Sequence, residues 1–149
     1  MSKPLTQLVP DLREALEKGL EEAAEKVVMD LKEDGPYWTG FFESLWEVNP
    51  GNTAIKANIK NPLKVPKQPK TKQITPVDIP ESPNLNGYTI GNRAEYRLYA
   101  MDILASPGVA RGNYPAANLT ADKNWFDRYV NARMPAAINT ALTNVFRRY

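Results

Sequence analysis

Six residues in this chain form a series that could act together. Lys56, Lys60, Lys64, Lys67, Lys70 and Lys72 are the only charged residues between positions 56 and 72. On extended chain such a series can hold an anionic partner, either a nucleic-acid backbone or the acidic face of a neighbouring subunit. It can also be no more than the solvated charge of a soluble loop. No aromatic side chain interrupts the series, so stacking on single-stranded bases is not expected. The carboxylates offer less chemistry. Glu43, Glu47, Glu95 and Asp102 are scattered without the spacing of a catalytic pair, and those between Asp11 and Asp34 have lysines close by. Tyr88, Tyr96 and Tyr99 could be read as a ligand box, but half-buried core residues with wet hydroxyls are the simpler expectation. There is no cysteine and no histidine. A thiol nucleophile, a zinc–thiolate site and the commonest general base near pH 7 are therefore missing. No phosphate-cradling glycine loop or nucleophile elbow occurs. The expectation is a protein that is not an enzyme and has no cofactor and no metal.

The chain has 149 residues and a formal net charge of +2, which favours one domain with one core. No apolar run approaches the ~18 residues of a membrane span. The start, Met1-Ser2-Lys3-Pro4-Leu5, lacks the apolar region of a secretory signal, so the chain is expected to stay in the compartment where it is made.

The elements that must position the lysines follow from apolar periodicity. Met1 to Val9 reads as a short tail, with Pro10 at the first helical position. Leu12, Ala15, Leu16, Leu20, Ala23, Ala24, Val27, Val28 and Leu31 then recur at three- and four-residue steps, one stripe of a helix over about 10–34. Gly19 is a weak point of about 1 kcal/mol against alanine, or a place where another backbone comes close. Gly35 and Pro36 end the helix, Gly35 as a left-handed cap. Thr39 is the expected N-cap of a short turn, with Gly40 allowing a sharp bend. Phe41, Phe42, Leu45 and Trp46 behind it should form the hinge of the core.

Trp46 and Val48 begin a strand, and Asn49-Pro50-Gly51-Asn52 is a turn. Ile55, Ala57 and Ile59 alternate with Lys56, Asn58 and Lys60, so the two segments read as a hairpin. Residues 61–83 carry Pro62, Pro66, Pro69, Pro76, Pro80 and Pro83. That density prevents a helix or central strand and favours an extended, basic, proline-rich arm. Strand character resumes at Tyr88-Thr89-Ile90-Gly91, and Tyr96 to Leu104 have helical spacing. A last helix, capped by Thr120, carries a second long apolar stripe from Trp125 to Phe146, with a kink where Pro135 interrupts its ladder. The predicted fold class is α+β: a small antiparallel sheet packed with a long N-terminal helix and a kinked C-terminal helix, with a long proline-rich hairpin loop.

Three places resemble a known family, the small neck proteins of tailed bacteriophages called head-tail joining or tail-completion proteins. A long acidic amphipathic helix leads into Gly35-Pro36-Tyr37-Trp38-Thr39-Gly40-Phe41-Phe42-Glu43-Ser44, which is similar to the family's Pro-x-x-Thr-Gly-x-Leu-x-x-Ser with Phe42 at the leucine. Ile90-Gly91-Asn92-Arg93-Ala94-Glu95-Tyr96-Arg97-Leu98-Tyr99 resembles its strand-Gly-Asn-x-x-Pro-Tyr-Ala-x-Tyr segment, with Glu95 and Arg97 at the proline and alanine. The helix near Trp125 resembles its closing helix. The resemblance marks Gly35, Pro36, Thr39, Gly40, Ser44, Tyr96 and Tyr99 as fold-motif positions. It implies a ring-forming structural protein, often hexameric, in the virion neck and assembled in the host cytoplasm. Its partners would be copies of itself, a connector or head-closure protein, a tail terminator or tail tube protein, and double-stranded DNA passing unread through the channel. An acidic helix and a lysine arm on one subunit would suit head-to-tail contact around such a ring. Lysines facing the channel would instead hold the DNA backbone.

Overall fold

A computed structural model describes residues 5–37, 40–60, 70–95 and 125–147, with the backbone alone for 5–9. The chain is α+β. Helix α1 spans Leu5–Asp34 and a single turn, α2, spans Phe41–Ser44. Strand β1 is Trp46–Pro50, and a 3-10 turn at Pro83–Leu85 precedes strand β2, Tyr88–Asn92. The C-terminal helix is composite. Helix α3, Trp125–Arg128, passes into a π turn at Tyr129–Arg133 and then helix α4, Met134–Phe146.

Helix α1 begins earlier than Pro10 predicts, and that proline lies inside it. Its missing N–H removes one bond, to the Thr6 carbonyl, near a helix end where the loss is tolerated. The apolar stripe behaves as expected, with Ala15, Ala23, Ala24, Val27, Val28 and Leu31 buried. The C-terminal helix lies antiparallel along it. Trp125 packs at Gly35, Tyr129 at Asp30 and Leu142 at Gly19. A Cβ on Gly19 would stand 2.6 Å from Leu142 Cδ2 and 3.6 Å from Leu142 Cα, so what comes close here is first a side chain of the facing helix, with its backbone at ordinary contact distance behind. Pro135 does distort the closing helix. Because proline cannot donate, the ladder widens before it, and the Met134 N–H reaches the Tyr129 carbonyl to close the π turn.

Two local expectations need correction. Gly35 is not a left-handed cap, because among the described residues the glycines with positive φ are Gly40, Gly51 and Gly87. Its role is space: a Cβ there would lie 2.9 Å from the Leu31 carbonyl oxygen and 3.0 Å from Trp125 Cη2. The N-cap position of α2 falls on Gly40, at φ 89°, with no side-chain cap. Thr39 lies outside the described residues. Ser44 closes the turn, its hydroxyl donating to the Phe41 carbonyl at 2.8 Å.

The hairpin is also different. β1 pairs antiparallel with β2, Val48 opposite Ile90, not with residues 55–60. Gly51, at φ 66°, turns the chain so that its N–H reaches the Gly87 carbonyl at 2.8 Å, which sets Tyr88 beside Pro50. The chain after Gly51 crosses the sheet at Gly91, where Ile55 fills the space a side chain would take. The alternation itself holds: Ile55, Ala57 and Ile59 are half-buried while Lys56, Asn58 and Lys60 are exposed. Ile59 adds one parallel bridge to Ala94. The core joins Val27, Val28, Leu31, Phe42, Trp46, Val48, Ala94, Trp125 and Tyr129, with Phe42 edge-on to Trp46 at 5.8 Å between ring centres.

Candidate functional site

The lysine series divides in the structure. Lys56, Lys60 and Lys70 are exposed. Lys64 and Lys67 lie outside the described residues. Lys72 turns back on its own chain, where its ammonium donates to the main-chain carbonyls of Glu33 and Gly35 at the end of α1. Those carbonyls belong to the helix terminus, whose dipole favours a cation. Burial holds the Lys72 ammonium below its ordinary pKa of 10.5, and Asp34, Glu33 and Glu43 oppose that shift.

Three residues beyond Lys72, the chain passes over a buried ion pair. Lys32 Nζ stands 3.1 Å from Glu43 Oε1, with the two side chains 3% and 2% exposed. Thr75 completes the arrangement from above. Its N–H and its hydroxyl each donate to Glu43 Oε1 at 2.8 Å. Lys32 donates in turn to the Thr75 carbonyl at 2.9 Å and the Thr75 hydroxyl oxygen at 3.0 Å. Two charges removed from water are tolerable only with such partners. α1 supplies Lys32, α2 supplies Glu43, and the extended segment supplies Thr75. Val77 and Ile79 then pack half-buried against the core, and the Tyr88 hydroxyl donates to the Pro80 carbonyl at 2.7 Å. That hydroxyl is therefore not left to water as expected. Burial, with Glu21 and Glu81 nearby, raises its pKa. Tyr96 and Tyr99 lie outside the described residues.

Two further buried polar groups tie the frame. Asp30 accepts from the Tyr129 hydroxyl at 2.9 Å and from Lys26 at 2.9 Å, with Arg133 at 3.6 Å. Burial and the Asp30 carboxylate push the Tyr129 phenol well above its usual pKa. Asn92, 1% exposed, donates to the Phe42 carbonyl and accepts from the Ala94 N–H, both at 2.9 Å. It thereby joins β2 to α2. An apolar cavity of about 350 Å³, lined by Leu20, Val27, Trp46, Ile90, Phe126 and Met134 among others, opens between α1, the sheet and the C-terminal helix. Its polar groups among the described residues are those of Tyr88, whose hydroxyl is spent on Pro80, and Trp46, whose indole Nε1 is buried without a hydrogen-bond partner.

Periodicity missed Lys32 and Asp30, because charged residues near the end of an acidic helix look solvated. A signal was available. Lys32 follows Val28 by four residues and Asp30 follows Val27 by three, so both occupy the apolar stripe. Nothing local pointed to Thr75. Glu14, Glu17, Glu21 and Glu81, by contrast, gather around one depression beside the 3-10 turn, with Lys18 among them 3.5 Å from Glu14. Among the described residues no cluster of acidic side chains could hold a metal ion, and no described helix is long and apolar enough to cross a membrane.

Fold and site together define a small α+β domain whose polar lock fastens an extended, proline-rich segment. No family model, curated protein or solved structure matches the chain.

Proposed function

We propose that this protein is a structural subunit of a tailed-phage virion neck, without catalytic activity. Its copies form a ring, taken to be hexameric, between the head connector and the tail, around the channel through which DNA leaves. One observation carries this reading: a single subunit bears two complementary surfaces. A depression along α1 carries Glu14, Glu17, Glu21 and Glu81 against one cation, Lys18, so it is acidic in balance, and the exposed Lys56, Lys60 and Lys70 belong to the chain between the strands. Surfaces that match each other but not themselves favour head-to-tail contact, which closes into a ring when the rotation between neighbours allows it. Exposed ion pairs contribute little, so the contact needs apolar burial as well. Leu12 and Phe146, the exposed large apolar residues among those described, stand at the same end of the α1–α4 pair and suit that need. Native mass measurement of the purified protein, alone and with its connector and tail partners, tests the proposal. A closed ring is expected, and a chain that stays single throughout overturns it.

The exposed Lys56 and Lys60, on the wet face of one extended segment, favour a second reading: a small module that grips duplex DNA without reading it. It requires salt-sensitive binding by the isolated monomer. Absence of a gel shift at low salt removes it.

A further inference from the structure

We infer that the outer edge of β1 and residues 77–79 form the two walls of a slot for one more strand, and that its occupant is an extended segment of a partner protein in which apolar, basic and apolar residues alternate. The slot stands whether or not copies of this chain form a ring.

The edge is open. β1 and β2 run antiparallel with Glu47 opposite Gly91. At the two ends of the ladder, the Arg93 N–H donates to the Leu45 carbonyl and the Gly51 N–H to the Gly87 carbonyl. Bonded pairs alternate with unbonded ones in such a ladder. Leu45, Glu47, Asn49 and Gly51 therefore bond to β2, while Trp46, Val48 and Pro50 turn their main-chain groups the other way. Trp46 and Val48 each offer an N–H and a C=O there, and Pro50 a C=O. Among the described residues, no backbone group meets them. Trp46 and Val48 are only 5% and 6% exposed, so little water reaches them instead. Main-chain groups so enclosed are nearly always paired.

What faces this edge is a gap of about 470 Å³, bounded by all five residues of β1 and by Val77–Pro80. With a rise of ~3.4 Å, a strand spacing of ~4.8 Å and a sheet spacing of ~10 Å, one strand residue fills about 160 Å³, so about three residues fit. The two walls carry the same side-chain pattern. On β1, buried Trp46 and Val48 flank half-buried Glu47; across the gap, half-buried Val77 and Ile79 flank exposed Asp78. Residues opposite each other on adjacent strands share a face. An incoming strand thus meets apolar neighbours at its first and third positions and carboxylates at its second. Among the described residues no cation lines the gap, so the middle residue is specified as basic. The chain cannot close the gap by itself. The Thr75 N–H is spent on Glu43 and the Pro80 carbonyl on the Tyr88 hydroxyl, which fixes both ends of 75–80. Pro76 and Pro80 also lack the N–H that a strand needs. Strand addition takes its affinity from main-chain bonds and its specificity from alternate side chains, and both are laid out here.

The probe is the synthetic peptide acetyl-Thr-Val-Lys-Val-Thr-amide, added to the full-length protein while amide exchange is followed by NMR. Exchange at Trp46 and Val48 should slow by about tenfold or more at saturation, with little change at Glu47 and Asn49, which already bond to β2. Methylating both valine nitrogens of the peptide removes its donors to β1 and should abolish binding. Replacing its lysine by glutamate should weaken binding several-fold. The paired change Glu47→Lys with Asp78→Lys should reverse the preference between the lysine and glutamate peptides, which a damaged fold could not do. No protection at millimolar peptide, or equal binding by the methylated peptide, overturns the slot. Protection of Trp46 and Val48 that rises with protein concentration alone places a second copy there and overturns the partner.

Discussion

The seam between α1 and the C-terminal helix and the strap of residues 70–80 are both fastened to the same helix by different physics. The seam is close-packed. Glycines at 19 and 35 admit Leu142 and Trp125, and Tyr129 sits with its hydroxyl on a buried carboxylate. The strap has no such fit. It is held by one polar lock, by Lys72 on the helix end, and by half-buried Val77 and Ile79. Apolar packing spreads its free energy over many contacts, whereas a polar lock concentrates it in a few atoms whose unpaired state is costly. Hence removing one charged partner of the lock should cost more than disturbing any single contact of the seam.

The largest effect tests that contrast directly. Glu43→Ala leaves the Lys32 ammonium buried without its counter-ion, and stability should fall by about 3–5 kcal/mol, read as a lowered urea midpoint. The double change Lys32→Met with Glu43→Leu removes both charges and should recover most of the loss, because a buried pair is worth little against an apolar substitute. If the double variant is as damaged as the single one, the lock is not a matter of charge burial and the comparison fails.

Gly35→Ala comes next and probes the seam. The added methyl meets a backbone oxygen and the Trp125 ring, neither of which can step aside, so a loss of about 1–3 kcal/mol is expected. An unchanged midpoint would show that Trp125 can shift and that the seam is looser than its distances imply.

These two sites also differ in how far they could be read from the sequence. The seam was largely legible. Apolar residues at helical spacing marked both of its helices, and Gly19 inside a helix and Pro135 inside another marked where each departs from regularity. The two strands were legible as strands, but their pairing was not. Alternation in 55–60 gave the correct wet and dry faces yet could not reveal that Gly51 and Gly87 would join β1 to β2 across the whole intervening loop. The lock was least legible. Lys32 and Glu43 are distant in sequence, and a buried pair is defined only when α1, α2 and Thr75 come together. Lys72 looked like one more solvated lysine of an arm, although it caps a helix end.

Thr75→Val should have a smaller and more local effect. It removes one donor to Glu43 and one acceptor for Lys32 but keeps the backbone contacts, so about 1 kcal/mol is expected. Because the strap lacks a hydrogen-bond ladder, that loss should appear as faster proteolysis or amide exchange within 70–80, with the exchange of α1 and α4 amides unchanged. Equal loosening of the seam would mean that strap and body open as one unit.

The smallest effect separates the two regions by the sign of their response to alkali. Tyr129, in the seam, has a folded pKa raised above the ordinary 10.0 by burial and by Asp30. The folded state therefore holds its proton after the unfolded chain has released it, and stability falls as pH rises past about 10. Lys72, at the strap, has a folded pKa lowered from 10.5 by burial. Here the unfolded chain holds the proton longer, and stability rises over the same window. Between about pH 9 and 11, Tyr129→Phe should flatten the alkaline decline of the melting temperature, and Lys72→Met should steepen it. Shifts in the same direction for both variants would mean that strap and seam share one electrostatic environment. The polar lock would then be part of the core and not a fastening that can be undone.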